Sequence, residues 1–332
     1  MSSDLSTTIE GTRKMASHAS EVQFLGLTMP RLVAFAIFAL VIALGPLVVY
    51  DVFLMRVFCL IIFACSWNLL LGYTGLMSFG HAAFFGTGAY LCGLAATRWG
   101  LPTELAILAG TASAGVLGLV FGWIAIRRQG LYFAMITLAL AQMTYFAAVQ
   151  APFTGGEDGI QAVPRGSLFG LDLASNTTLY WVMAAIVLGT ILLYNRIVHS
   201  PFGQVLRAIR NNPERAKSLG FNVDRFKLAS FTISAAMAGF AASMKTVVFG
   251  IATLDNISIG ATTDVVLITL VGGIGTIFGP VVGSFIVLSM EHFLSPYGPW
   301  VLLIEGSVFM LCVLLFRQGI VGEIQKRLKK PL

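Results

Sequence analysis

Five ionisable side chains, Arg56, Glu104, Lys245, Asp264 and Glu305, lie inside or at the ends of long apolar runs. A charge at the centre of a membrane helix costs roughly 2.5–3.5 kcal/mol on insertion scales, so each position needs a physical reason. Arg56 and Glu104 fall near run ends, where a polar head reaches the boundary. Lys245, Asp264 and Glu305 are deeper. A Lys245–Glu305 or Lys245–Asp264 ion pair is the structural expectation, and a lining for the charged ends of an amino acid is the functional one. His81 reads first as a hydrogen-bonding group between helices, ahead of a proton carrier. Other chemistries lack their residues. No Gly-Lys dipeptide occurs anywhere, so there is no P-loop, whose backbone amides and Lys cradle phosphates. No H-E-x-x-H or G-x-S-x-G is present, and His292 beside Glu291 is isolated. Cys59, Cys65, Cys92 and Cys312 are irregularly spaced with no CxxC or CxxH, which suggests neither a zinc site nor a disulfide framework. No cofactor and no metal are expected in this chain.

The elements that must position these residues are membrane helices. The chain has 332 residues, 57% hydrophobic and 11% charged, with a mean hydropathy of +0.86. Soluble globular chains carry about 25% charged residues. Apolar runs long enough to span recur from Leu32 to Phe316, at about 20 residues per crossing. The spans read as 32–50, 52–71, 76–96, 105–126, 131–150, 179–197 and 228–250, then a broken stretch at 263–294 and a last span at 299–316. The broken stretch is too long for one helix. Gly272, Gly273, Gly275, Gly279 and Pro280 interrupt its middle, which favours two short helices around a turn.

Lys and Arg concentrate on the cytoplasmic side of membrane proteins. With the N-terminus inside and 263–294 counted as two segments, spanning or re-entrant, the inside pieces hold 17 of the 21 Lys and Arg. The expected architecture is an all-α polytopic membrane protein. It has about ten membrane segments, some short or broken by glycine, and both termini cytoplasmic. Residues 1–31 form a soluble N-terminal tail with no signal-peptide pattern, 32–316 the transmembrane domain, and 317–332 a basic tail. The loop 151–178 falls outside and carries Glu157, Asp158 and Asp172 against Arg165 alone. The net charge of +6 is thus an orientation signal and implies no nucleic-acid partner.

The loop 198–227 is not linker-like. Ser200-Pro201 starts a helix that runs through Gln204 to Arg210. Asn212 caps a second, Pro213 to Leu219, closed by Gly220. The pair presents Arg207, Arg210, Arg215 and Lys217 around apolar Leu206, Ile209, Ala216 and Leu219. Such a projection suits a groove on a partner protein or a bed of anionic headgroups. The glycines Gly72, Gly75, Gly80, Gly86, Gly88 and Gly93 also have two uses. They let helices approach closely, or Gly72 to Gly80 breaks a helix so that free backbone groups line a substrate path. Asn68, Gly75, Ser78 and His81, with Gly272 and Gly273, are the candidates for that path.

Glu214, Ala216 and Gly220 have the spacing of the E-A-A-x3-G motif of ABC importer permeases, with Arg215 in place of the central alanine. Gly203, Ala208, Ile209, Arg210 and Asn212, then Ala216 and Gly220, resemble the form found in the branched-chain amino acid type, the hydrophobic amino acid uptake family. The blocks Asn68–Gly75 with Ser78–Gly86, Gly130–Phe133 with Thr137–Ala139, Thr154–Ile160, and Gly272–Thr276 with Gly279–Gly283 fall in that family's order. The resemblance covers about residues 55–320.

The resemblance implies the permease subunit of an ATP-driven importer in the bacterial inner membrane, for branched-chain or related hydrophobic amino acids. It implies a second related permease, two cytoplasmic ATPases holding ATP and magnesium, and a periplasmic binding protein, all in membrane lipid. It also implies that Gly203, Arg207, Ala208, Arg210, Glu214, Ala216 and Gly220 form the ATPase-coupling loop. Thr154, Gly155, Gly156 and Asp158 would then face the binding protein. The chain itself is expected to be a transporter subunit and not an enzyme. Urea or short amides remain open as cargo. A self-contained secondary carrier is the reading from another class, although transmembrane carboxylates are few and that reading leaves the structured loop unexplained.

Overall fold

The computed structural model describes residues 29–328 apart from 169, 295, 297, 299, 316 and 317. Helix α1 is Met29–Val48 and α2 is Asp51–Asn68, continued by a wide turn over Leu69–Thr74. Then come α3 (His81–Thr97), α4 (Thr103–Ala125) and α5 (Leu131–Gln150). A small hairpin of β1 (Ser167–Leu168) and β2 (Leu171–Asp172) precedes α6 (Asn176–His199). The short helices α7 (Pro201–Asn211) and α8 (Pro213–Ser218) lead into α9 (Val223–Phe249). The chain continues through α10 (Ile259–Gly272), α11 (Gly279–Leu294), α12 (Trp300–Leu315) and α13 (Gly319–Leu328).

Local chemistry explains several boundaries. Ser175, Ser200, Asn212, Asn222 and Ser258 each accept a hydrogen bond from the backbone three residues on, the N-cap arrangement. Pro46 inside α1 has no N–H for the carbonyl one turn back. That carbonyl, of Ile42, accepts instead from the Tyr180 hydroxyl of α6 at 2.6 Å. Three expected starts move by four or five residues: the span read from 228 begins at Val223 and the stretch read from 263 at Ile259, and the third lies at a glycine break. The segment read as starting at residue 76 becomes helical only at His81, because Gly75 turns the chain with φ +78°.

Among the described residues, α2, α4, α5, α6 and α9 are long and apolar enough to cross a membrane, which makes this a multi-pass membrane protein. Burial ranks them: the apolar window of α2 is 83% buried, that of α5 only 28%. Helix α2 is the central pillar, with α9 beside it. α5 and the outer faces of α1 and α4 expose Leu47, Val116, Trp123, Met135 and Met143, side chains suited to lipid. Helices α3, α4 and α9 cross closely. A Cβ on Gly88 would overlap the backbone of Gly239, and one on Gly118 would overlap Ala235, so small residues set the crossing distance.

The stretch 263–294 divides as its glycines indicate. Helices α10 and α11 pack against each other and against α2, joined by a turn in which Gly273 and Gly275 have φ +124° and +74°. With 14 and 16 residues at 1.5 Å per residue, they reach about 21–24 Å, short of the roughly 30 Å apolar core. The tail expected over 317–332 is not wholly loose, since α13 packs on this pair with Val321 buried. The proposed tail before Met29 lies outside the described residues.

Candidate functional site

The loop 198–227 folds as its caps dictate. Ser200 Oγ accepts from Gly203 N at 3.3 Å and Asn212 Oδ1 from Arg215 N at 3.0 Å. Leu206, Ile209 and Ala216 are buried. Gly203 sits where a Cβ would overlap the carbonyls of Ile197 and Val198, which seats α7 on the end of α6. Gly220 turns the chain at φ +90°, a conformation that favours glycine. Ala208, Glu214, Arg215 and Lys217 are exposed.

Two features depart from the expected amphipathic pair. Leu219 lies just past the end of α8 and is 68% exposed. Arg207 and Arg210 turn back toward the bundle. Arg207 lies over the Tyr73 ring at 5.2 Å and donates to Val198 O at 3.2 Å. Arg210 Nη1 donates to Gly72 O. Gly72 lies in the last turn of the α2 continuation, where carbonyls lack helical partners and carry the negative end of the helix dipole. The guanidinium caps that end. Between the α4–α5 turn and α8, a cleft of about 700 Å³ is lined by Arg127, Gln129, Glu214, Lys217, Phe221 and Asp224.

The same wide turn is fastened to the α10–α11 turn. Asn68 donates to Thr276 O at 2.8 Å and to the Tyr194 hydroxyl at 3.0 Å, and its carbonyl accepts from Gly275 N at 2.8 Å. Tyr73 donates to Gly275 O at 2.8 Å. A Cβ on Gly72 would overlap both Asn68 Oδ1 and the Gly275 backbone. Gly75 packs on the Arg210 stem, Gly272 crosses Gly279, and Gly273 receives Gly319 of α13. Asn68, Gly75, Gly272, Gly273 and Arg210 therefore form one knot. Three of the five hydrogen bonds in it span more than 200 residues of sequence.

Ser78 and His81 lie apart from the knot. Both are buried, Ser78 in the break before α3 and His81 at the first position of α3. The backbone around the break is bonded by side chains: Trp67 Nε1 donates to Ser78 O at 2.9 Å, and Thr137 and Thr262 accept from the amides of Phe79 and Ala82. His81 Nε2 lies 2.9 Å from Ser66 Oγ and 3.3 Å from Ser234 Oγ, joining α3 to α2 and α9, while its Nδ1 and the Ser78 hydroxyl are buried without a partner.

The opposite end of the bundle carries the charges. Arg56 of α2 pairs with Glu291 of α11 at 2.6 Å. The expected ion pairs do not include this one, although opposite charges at one depth on neighbouring spans are its sequence signal. Lys245 Nζ donates to Asn256 Oδ1 at 2.8 Å and lies 5.5 Å from the centre of the Phe85 ring. Lys245, Asp255 and Asp264 line one small cavity with Arg56 and Glu291. The side chain of Glu305 lies outside the described residues. In the adjoining loop, Thr154 is buried and donates to the carbonyls of Ala148 and Ala151. Gly155, Glu157 and Asp158 are exposed and Gly156 is half-buried. Ile160 bridges to Ala252 beyond α9. Among the described residues no three His, Cys, Asp or Glu side chains gather as metal ligands.

A bundle with short paired helices, a capped loop folded against it and a charged far end fits a transport subunit. The model of one family, described as branched-chain amino acid transport system / permease component, matches residues 49–316. The chain belongs to this family. It is 26% identical over 294 residues to the high-affinity branched-chain amino acid transport permease LivM of Salmonella typhimurium, covering 81% of this chain and 69% of that one. It is 25% identical over 285 residues to LivH of Escherichia coli K12, covering 79% and 92%. It also resembles the galactose/methyl galactoside import permease MglC of Haemophilus influenzae, 27% identical over 229 residues, covering 64% and 66%. No solved structure matches.

Proposed function

We propose that this chain is a transmembrane permease subunit of an ATP-driven importer for branched-chain or related hydrophobic amino acids, in the bacterial inner membrane. The family match over residues 49–316 carries the reading. Matches to both LivM and LivH support pairing with a second, related permease. On this reading ATP and magnesium belong to two separate cytoplasmic subunits, in keeping with the lack of a Gly-Lys dipeptide here, and a periplasmic binding protein delivers the cargo. The basic loops favour about ten membrane segments with both termini inside. On that orientation α7 and α8 are cytoplasmic, and the loop 151–178 is external, with Asp158 and Gly155 turned toward the binding protein.

Coupling follows from the knot. An ATPase docks on the exposed edge formed by Glu214, Lys217, Leu219 and Phe221. Movement of α7 reaches the α2 end through Arg210 and the α10–α11 turn through Asn68 and Tyr73. The test is co-purification with two ATPases and a second permease, followed by uptake of L-leucine into liposomes loaded with ATP. D-galactose serves as the comparison because one relative is a sugar permease. ATP-dependent uptake of leucine and not galactose is expected. Uptake that needs an ion gradient and no ATP would overturn the reading in favour of a secondary carrier.

A further inference from the structure

The external ends of α2, α9, α10 and α11 enclose a mixed set of charges around one small cavity: Arg56, Lys245, Asp255, Asp264 and Glu291. Asp255 and Asp264 are exposed, and Arg56 and Glu291 are half-buried. Open charges on helices of this kind do not face hydrocarbon, because each would cost several kcal/mol there. Their open side faces water or protein. Lys245 is within electrostatic reach of Asp255, Arg56 and Asp264, and its ammonium donates to a neutral partner, Asn256. The rest of the lining is apolar, from Leu60, Phe63, Phe85, Ile268, Val287 and Leu288. A few charged groups beside an apolar wall is the usual make-up of a small-molecule site.

We propose that this cavity is an outer binding site for the zwitterionic head of the amino acid cargo. The α-ammonium group lies at Asp264 and Asp255, and the α-carboxylate group lies toward Lys245 and Arg56. The inference rests on the importer reading above and adds the place where the cargo first meets this subunit. The chemistry is complementary in both signs: cations and carboxylates lie around one opening, and the set carries one carboxylate in excess of its cations. The cavity holds about 40 Å³, room for a water molecule or a small charged group and not for a whole branched side chain. The site is therefore contracted in this conformation, and the apolar wall parts to admit the side chain. Two of the enclosing helices, α10 and α11, are those whose far turn is bonded to the end of α2 that Arg210 of α7 caps. Opening of the site and movement of the coupling helices thus involve the same pair.

The test uses the complete importer in proteoliposomes. Asp264→Asn and Lys245→Met each remove one charge. Uptake of L-leucine at saturating loaded binding protein is expected to fall about tenfold or more, the loss that follows from one charge-assisted hydrogen bond. Co-purification with the ATPases should be retained. In parallel, Ala261→Cys, which enters the cavity lining without removing a charge, is made in a Cys312→Ser background and exposed to a membrane-impermeant cationic thiosulfonate, the remaining native thiols being buried. Labelling is expected, and leucine-loaded binding protein should slow it several-fold relative to the empty form. Uptake within twofold of wild type in both charge variants, absent labelling, or labelling indifferent to leucine would overturn the site while leaving the permease reading intact. Failure of the wild-type complex to take up leucine would overturn the permease reading itself.

Discussion

Helices α10 and α11 begin and end in contrasting surroundings. At their shared turn the contacts are buried or part-buried and made largely with backbone: Asn68 and Tyr73 hold Gly275 and Thr276, and one guanidinium caps Gly72. At their other ends the contacts are between full charges, and the Arg56–Glu291 pair is 43% and 42% exposed. Hydrogen bonds strengthen one another where water is excluded, whereas half-exposed ion pairs contribute about 0–1 kcal/mol. On the proposed reading the first end suits transmission, because its hydrogen bonds are costly to break, and the second suits a cargo site, because its ion pairs exchange at little cost.

The comparison breaks most readily at the turn. Gly72→Val places a side chain into Asn68 and the Gly275 backbone. We expect a loss of about 3 kcal/mol or more from overpacking and displaced hydrogen bonds, read as failed purification or a much lower melting temperature. Asn68→Ala strands the Gly275 amide and the Thr276 carbonyl and should cost about 2–4 kcal/mol by thermal unfolding in detergent. Arg210→Ala removes a charged cap from a helix end, worth about 1–2 kcal/mol, and leaves the fold intact. The charged end sharpens the contrast. A double-mutant cycle on Arg56→Met and Glu291→Met should give a coupling below about 1 kcal/mol if the mouth is wet. A coupling of several kcal/mol would mean a dry, sealed pair. The smallest effect on stability belongs to Leu219→Asp at an exposed position. We expect no change in melting and weaker retention of the ATPases.

The legible parts of this molecule were those written in neighbouring residues. Ser200, Asn212 and Gly220 announced both α7 and α8 because caps act within three or four positions. Gly272 to Pro280 announced the divided helix for the same reason. The reading of His81 as a contact between helices matches its bonds to Ser66 and Ser234. Contacts across the fold were not legible. Asn68 was noted for a substrate path, while its hydrogen-bond partners Thr276 and Gly275 lie 208 and 207 residues away. Nothing in the periodicity of α7 told that Arg210 turns inward, since an amphipathic pattern assigns faces and a long side chain can leave its own. Lys245 and Asp264, expected as an ion pair, line one cavity with Arg56, Asp255 and Glu291, but the hydrogen bond from Lys245 goes to Asn256. The start of α3 moved to His81 because the intervening backbone is held by Trp67, Thr137 and Thr262 from other helices.

The central claim is that α7 drives the divided helix pair through Arg210. The ratio of leucine imported to ATP hydrolysed by the reconstituted complex tests it most directly, with Arg210→Ala compared against wild type. The account predicts ATP hydrolysis within twofold of wild type and uptake reduced about tenfold, so the ratio collapses while the ATPases remain bound. An unchanged ratio, whether both rates persist or both fall together, would contradict it.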